Sequence, residues 1–250
     1  MEAKQRLRDA EIEAIHEAAE LEARFGRLEP EEIIALSAER RFAGGVAAVS
    51  SFGADSAVLL KMIADVDPAL PVLFLDTGKH FGETLDYRDA LAADLGLTNL
   101  QIVHPLEDAI AEQDPDGLLH KSDTDACCEI RKVEPMARAV RPYRAWFTGR
   151  KRFQSETRAA MPSFEAVGER IRINPLAQWG TADLARYMQS NDLRANPLVA
   201  FGYLSIGCFP CTEPVKPGED ARAGRWAGQA KTECGIHLSG LDASLTSSSL

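Results

Sequence analysis

Val46-Ala47-Ala48-Val49-Ser50-Ser51-Phe52-Gly53-Ala54-Asp55-Ser56 decides the fold class of this chain of 250 residues. Its first four residues are apolar without a polar break, which reads as a strand buried on both faces, the habit of parallel sheets. A Ser/Gly-rich turn then opens a helical segment over 56–66. The alternation repeats outward from there. Val72-Leu73-Phe74-Leu75 runs into Asp76-Thr77-Gly78, and a helix is expected over 83–95. A short strand around Ile102-Val103, a helix over 129–140 and the strand Ala145-Trp146-Phe147-Thr148 follow. Ile171-Arg172-Ile173-Asn174 reads as a further strand, and 181–189 as a helix capped by Thr181. This pattern predicts an α/β fold, a parallel sheet flanked by helices. In such sheets ligands gather beyond the carboxyl ends of the strands, so 50–56 and 76–78 should share one rim.

Ahead of this body, residues 2–24 carry Ile12, Ile15, Ala18 and Leu21 at helical spacing, and 30–40 reads as a second helix. The two form either a packing layer or a homo-oligomer surface. Residues 196–240 are loop-like, with Pro197, Pro210, Pro214 and Pro217, and the Ser-rich residues 241–250 read as a flexible tail.

The formal charge of −10, from 28 basic and 38 acidic residues, disfavours nonspecific nucleic-acid binding, which needs a broad basic surface. A few clustered Arg and Lys can still build a pocket for one small anion. No apolar run approaches the length of about 18 residues of a membrane span. The charged N-terminus lacks a signal core, so a cytoplasmic location is expected.

Chemistry enters at two kinds of segment. In the first turn, Gly53 permits close backbone approach, while the hydroxyls of Ser50, Ser51 and Ser56 and the helix N-terminus offer donors to a phosphate. The same residues also suit an ordinary Ser-capped turn. The turn lacks the Gly-Lys-Ser/Thr ending of a Walker A loop. Asp76, Thr77 and Gly78 form a second candidate ligand loop or a simple turn cap. The five cysteines come as an adjacent pair, Cys127-Cys128, then Cys208-Phe209-Pro210-Cys211, then Cys234 alone. In a reducing compartment such spacing reads as metal binding plus reactivity. Four thiolates suit tetrahedral zinc or a 4Fe-4S cluster. An adjacent pair reaches two corners of a cubane more easily than one ion, which favours iron–sulfur over zinc. Four buried unliganded thiols are the plain alternative. Lys132 lies one helical turn beyond Cys128, placed to sit between a cluster and an anion. Cys234 has Lys231 and His237 nearby to favour its thiolate.

The turn at 50–56 resembles the modified phosphate loop of adenine nucleotide alpha-hydrolase-like proteins. Cys127-Cys128-Glu129-Ile130-Arg131-Lys132-Val133-Glu134-Pro135, the later Cys-x-x-Cys and Glu233-Cys234-Gly235-Ile236-His237 together resemble the adenylyl-sulfate and 3′-phosphoadenylyl-sulfate reductase family, from about Ser50 to His237. The resemblance implies a nucleotide-binding α/β domain over 41–195 behind N-terminal helices 1–40, with the cluster loop and catalytic segment in 196–240. It implies a 4Fe-4S cluster on Cys127, Cys128, Cys208 and Cys211, and a nucleophile at Cys234. Ligand contacts are implied from Lys132, Arg158, Arg222, Arg225 and His237, beside Ser50, Ser51, Gly53, Ser56, Asp76, Thr77 and Gly78. The run Gly149-Arg150-Lys151-Arg152 is a further clamp candidate or a solvated turn. The implied reaction is reduction of adenylyl sulfate to sulfite and AMP in sulfate assimilation, upstream of cysteine. Reduced thioredoxin or glutaredoxin would be the partner. The four cluster cysteines point away from the 3′-phosphorylated nucleotide, which stands as the alternative substrate. An ATP-dependent thiolation or pyrophosphatase enzyme is a more remote one.

Overall fold

The computed structural model describes residues 2–227, 231 and 233–237; the tail expected over 241–250 lies outside them. Helix α1 (Glu2–Phe25) and α2 (Pro30–Ala35), the latter continued by a π-helical turn over Leu36–Arg41, precede the sheet. The rest runs β1 (Val46–Val49), α3 (Ser56–Val66), β2 (Val72–Leu75), α4 (Gly82–Asp94), β3 (Leu100–Val103), then the short helices α5 (Glu107–Gln113), α6 (Leu119–Ser122) and α7 (Thr124–Cys128). A π-helical turn over Glu129–Val133 joins α7 to α8 (Glu134–Val140), and β4 (Ala145–Thr148), β5 (Phe164–Val167), β6 (Arg170–Ile173) and α9 (Thr181–Ser190) follow.

The sheet has six strands in the order β3-β2-β1-β4-β6-β5. All neighbours pair parallel except the edge strand β5, which is antiparallel to β6. The expected α/β fold is therefore observed, with an antiparallel edge that the sequence reading lacked. Val46 and Ala48 of β1 join one apolar layer with Val58, Leu60, Phe74 and Phe147. Ala47 points to the opposite layer with Leu73, Val133, Met136, Val140 and Trp146. Both faces are thus covered, which is why β1 is an unbroken apolar run rather than an alternating one.

Three local expectations are corrected. In α1 the buried stripe is Ala14, Ala18 and Leu21, whereas Ile12 and Ile15 are exposed; small alanines let the helix lie close on the body. The cap of α9 is Gly180, whose amide donates to Asp183 Oδ2 at 2.9 Å, and Thr181 is the first helical residue. Cys127 and Cys128 lie inside α7 rather than before a helix, because the Asp123 side chain caps that helix by accepting from the Ala126 amide.

The strand order reverses between β1 and β4, the position where open α/β sheets bind ligands. Loop 50–56 leaves β1 there and 149–152 leaves β4. Gly78, after β2, has φ +68°, a left-handed conformation costly for a side-chain-bearing residue. Gly78→Ala is expected to cost about 1–2 kcal/mol, read from urea denaturation.

Candidate active site

The loop after β1 holds itself in shape. Ser50 Oγ accepts from the Phe52 amide at 3.1 Å, and Ser56 Oγ accepts from the Gly53 amide at 2.8 Å. Each hydroxyl thereby keeps its own proton for a ligand. The left-handed residue is Phe52 (φ 48°), not Gly53; its buried ring packs edge-on to Phe74, which holds the strained backbone in place. Asn196 donates to the Phe52 carbonyl at 3.0 Å. Across the switch point, the buried Lys151 forms an ion pair with Asp55. Arg150, also buried, donates to Asn174 Oδ1 and pairs with Glu165. Arg152 Nε donates to the Met161 carbonyl at 2.8 Å. The solvated-turn alternative for 149–152 therefore fails: Arg150 and Lys151 are interior ion pairs that brace the rim.

The second loop is tied to the cysteines. Asp76 Oδ1 accepts from the Gly78 amide at 2.9 Å, and Thr77 Oγ1 lies 3.4 Å from Cys208 Sγ. Arg131 Nη1 donates to the Thr77 carbonyl at 2.7 Å, while its Nε and Nη2 reach Asp114 Oδ2 at 3.0 and 2.6 Å. Arg131 is thus a buried strut between the first cysteine pair and the β2 rim.

The pairs Cys127-Cys128 and Cys208/Cys211, distant from each other in sequence, line one small cavity with Lys79, His120, Arg131, Lys132, Arg225 and Trp226. Among the described residues, no three His, Cys, Asp or Glu side chains are arranged as a group to hold a single metal ion. The donor chemistry nevertheless fits a group larger than one ion. Four soft sulfurs face one space ringed by cations, and two buried nitrogens on its wall, His120 Nδ1 and Arg225 Nε, lack a hydrogen-bond partner. Buried N–H groups around sulfur clusters ordinarily donate to sulfur. Burial raises the thiols of Cys127 and Cys211 above their usual range.

Arg131 and Lys132 both reach this cavity although they are adjacent in sequence. On an α-helix consecutive side chains diverge; the π-helical turn over Glu129–Val133 widens the backbone by one residue, a distortion frequent at functional sites. Burial would lower the Lys132 ammonium, but the sulfurs of Cys208, Cys234 and Cys128 outweigh it and raise it above its ordinary value.

Cys234 is buried beside this group rather than apart from it. The Cys128 thiol hydrogen-bonds to it, and this contact, the Lys132 charge and the Ile236 amide hold the Cys234 thiol well below its usual range despite burial. A Cys128 that ligates iron has no proton to donate, so Lys132 and the amide then carry the effect. Lys132→Met keeps the stem and removes the charge. It is expected to move the midpoint of Cys234 alkylation upward by about one pH unit, followed by iodoacetamide labelling against pH.

The remaining predicted contacts divide. Arg225 lies over the Trp226 ring, 4.4 Å from its centroid, on the cavity wall. Arg158 and Arg222 both engage Glu233, the residue before Cys234 in the Glu-Cys-Gly motif. His237 ends a short 3-10 turn over Gly235–His237, and its side chain lies outside the described set. Lys231, expected beside Cys234, pairs with Asp125 of α7.

The family model of the phosphoadenosine phosphosulfate reductase domain matches residues 45–214. The chain belongs to this family. Relatives within it include the adenosine 5′-phosphosulfate reductase of Chelativorans sp. strain BNC1, 70% identical over 97% of this chain and 98% of the relative. The reductase of the same name from Mycolicibacterium smegmatis is 44% identical over 80% and 85% of the two chains. Among solved structures, the phosphoadenylyl-sulfate reductase of Candida auris in a phosphate complex superimposes with a TM-score of 0.66 at 30% identity, covering 79% of this chain and 96% of that one. An FMN adenylyltransferase of Candida glabrata, at 13% identity and a TM-score of 0.52, shares the fold alone. Family membership extends from the first strand through the Cys-x-x-Cys turn; Cys234 lies beyond the matched span but within the Chelativorans alignment's reach of nearly the whole chain.

Proposed function

We propose that the protein reduces adenylyl sulfate to sulfite and AMP through an S-sulfocysteine on Cys234. The observation that carries this reading is a buried Cys234 that contacts Cys128 and lies in the field of Lys132, two residues that line the four-cysteine cavity. Its setting in a chain 70% identical to a protein named adenosine 5′-phosphosulfate reductase supports the choice of substrate.

The Cys234 thiolate attacks the sulfur of adenylyl sulfate. A sulfur–sulfur bond forms, the sulfur–oxygen bond to the phosphate breaks, and AMP leaves with the bonding pair. Lys132, Arg225 and the hydroxyls of Ser50, Ser51 and Ser56 are placed to balance charge on the phosphosulfate, with Gly53, Asp76, Thr77, Gly78, Arg158, Arg222 and His237 shaping the pocket. A thiolate of reduced thioredoxin or glutaredoxin then attacks Cys234 Sγ. Sulfite leaves with the pair, and the partner's second thiol resolves the mixed disulfide. The two electrons come from that dithiol.

Cys127, Cys128, Cys208 and Cys211 would hold a 4Fe-4S cluster. Its contribution when bound is structural and electrostatic, ordering residues 196–240 and adding charge beside Lys132. The residues that surround it do the positioning: Thr77 contacts Cys208, and Arg131 fixes α7 to the β2 rim.

Labelled adenylyl sulfate added to anaerobic, cluster-loaded protein, followed by intact mass, tests the scheme. A sulfite-mass adduct that reduced thioredoxin removes is the expected result; no adduct with intact cluster would sink it. Comparing kcat/KM for the 3′-phosphorylated nucleotide decides the alternative substrate.

A further inference from the structure

Glu233 takes no part in the bond changes above, yet its carboxylate accepts from four side chains. It is 9% exposed. Arg158 Nε donates to Oε1 at 2.9 Å and Arg158 Nη2 to Oε2 at 2.8 Å. Arg222 Nη2 donates to Oε2 at 3.3 Å, and Ser155 Oγ and Thr157 Oγ1 donate to Oε1 at 3.1 and 3.4 Å. Two parallel guanidinium bonds are the strong, directional form of ion pair. Burial pulls the Glu233 carboxyl upward, but Arg158, with Arg222 and Ser155, outweighs it and holds the group below its ordinary range. Glu233 therefore remains ionised and seated.

The residues after Cys234 are fixed by shape. A Cβ on Gly235 would stand 2.6 Å from Val133 Cγ2, so only glycine approaches the π-helical turn this closely. Ile236 packs on the apolar layer that contains Val133, Met136 and Val140. Cys234 is thus held between an ionic anchor before it and a steric anchor after it.

We infer that Glu233 is a positioning residue: its ion pair with Arg158 and Arg222 seats the Cys234 sulfur beside Lys132. The inference rests on Cys234 being the nucleophile of the proposed reaction. The Gly235 and Ile236 contacts fix the chain only after Cys234, so the Glu233 ion pair is what fixes it before. The pair also ties the segment to 155–158, which follows the β4 rim, so both halves of the site are brought together by one carboxylate.

The test uses cluster-loaded full-length protein and the substitution Glu233→Gln, which keeps the side chain's volume and removes its charge. Iodoacetamide labelling of Cys234, located by peptide mapping at about pH 9, reads its accessibility without substrate, near the ordinary thiol range. It is expected to rise about tenfold, because an uncompensated guanidinium pair no longer retains the segment. The single-turnover rate of adduct formation is expected to fall about a hundredfold, with AMP affinity unchanged. Unchanged labelling and unchanged single-turnover rate would overturn the inference. So would a loss of AMP affinity in parallel with rate, which marks general damage to the pocket. If the wild-type protein forms no adduct, the proposed reaction fails instead, and the labelling comparison still decides whether Glu233 seats Cys234.

Discussion

Cys234→Ser is expected to abolish the sulfite-mass adduct and to lower kcat by at least about 10⁴-fold while leaving AMP affinity unchanged. Serine is nearly isosteric, so the buried site between Glu233 and Gly235 should still form. The hydroxyl, however, is not ionised by Lys132 and the Ile236 amide to any useful extent, and a thiolate is the species that attacks sulfur. The pH dependence follows from the lowered Cys234 thiol. With Lys132 and the Ile236 amide still acting on Cys234 once Cys128 is a ligand, the single-turnover rate should level off at a pH below the ordinary cysteine range. It should fall only as acid protonates Cys234. A rate that climbs through the ordinary cysteine range would show that the Lys132 charge is not acting on this sulfur. Residual adduct in the serine variant would place the nucleophile elsewhere.

Asp114→Asn is expected to lower Tm by roughly 10 °C, from a loss of about 3–5 kcal/mol for breaking a buried pair. The Asp114 side chain is fully buried, and it accepts from the Leu119 amide at 2.7 Å as well as from Arg131. Asparagine can still take the amide bond, but it leaves the Arg131 guanidinium uncompensated beside Cys127. Cluster retention should drop with stability, because Arg131 spans from the first cysteine pair to the Thr77 carbonyl. Burial raises the Asp114 carboxyl, but the Leu119 amide and Arg131 outweigh it, so its folded pKa lies below the ordinary carboxylate value. A depressed folded pKa means that this stabilisation is complete above about pH 4 and disappears as pH falls through the folded value. The wild-type and Asp114→Asn unfolding curves should therefore converge in acid. A constant gap between them down to pH 3 (about one unit below the ordinary carboxylate) would refute the assignment.

The strands were legible because a strand covered on both faces leaves an unbroken apolar run, as at 46–49, 72–75 and 145–148. β5 was not. Phe164-Glu165-Ala166-Val167 is an edge strand with one polar residue, Glu165, which serves Arg150 and Arg172, so its pattern is interrupted by ion pairs with other segments. The helical stretch at 129–140 was recognised, but its start was missed because Asp123, the cap, stands before a segment with little apolar periodicity. The basic residues were the least legible. Arg131, Arg150 and Lys151 look solvated in sequence, and each is buried only because a carboxylate from a distant element meets it: Asp114, Glu165 and Asp55.

The sequence by itself determined the α/β class, the two loops on one rim and the sorting of five cysteines into a set of four and a single one. Those follow from local periodicity and from residue chemistry, which neighbours in the chain are enough to express. Only the tertiary structure decided that the fifth cysteine lies against Cys128, that a π-helical turn brings Arg131 and Lys132 to the same cavity, and that Glu233 rather than open solvent faces Arg158 and Arg222. Each of these depends on contacts between separate segments of the chain or on a backbone irregularity. Neither is encoded in spacing; both arise when the sheet closes and buried charge must find its partner.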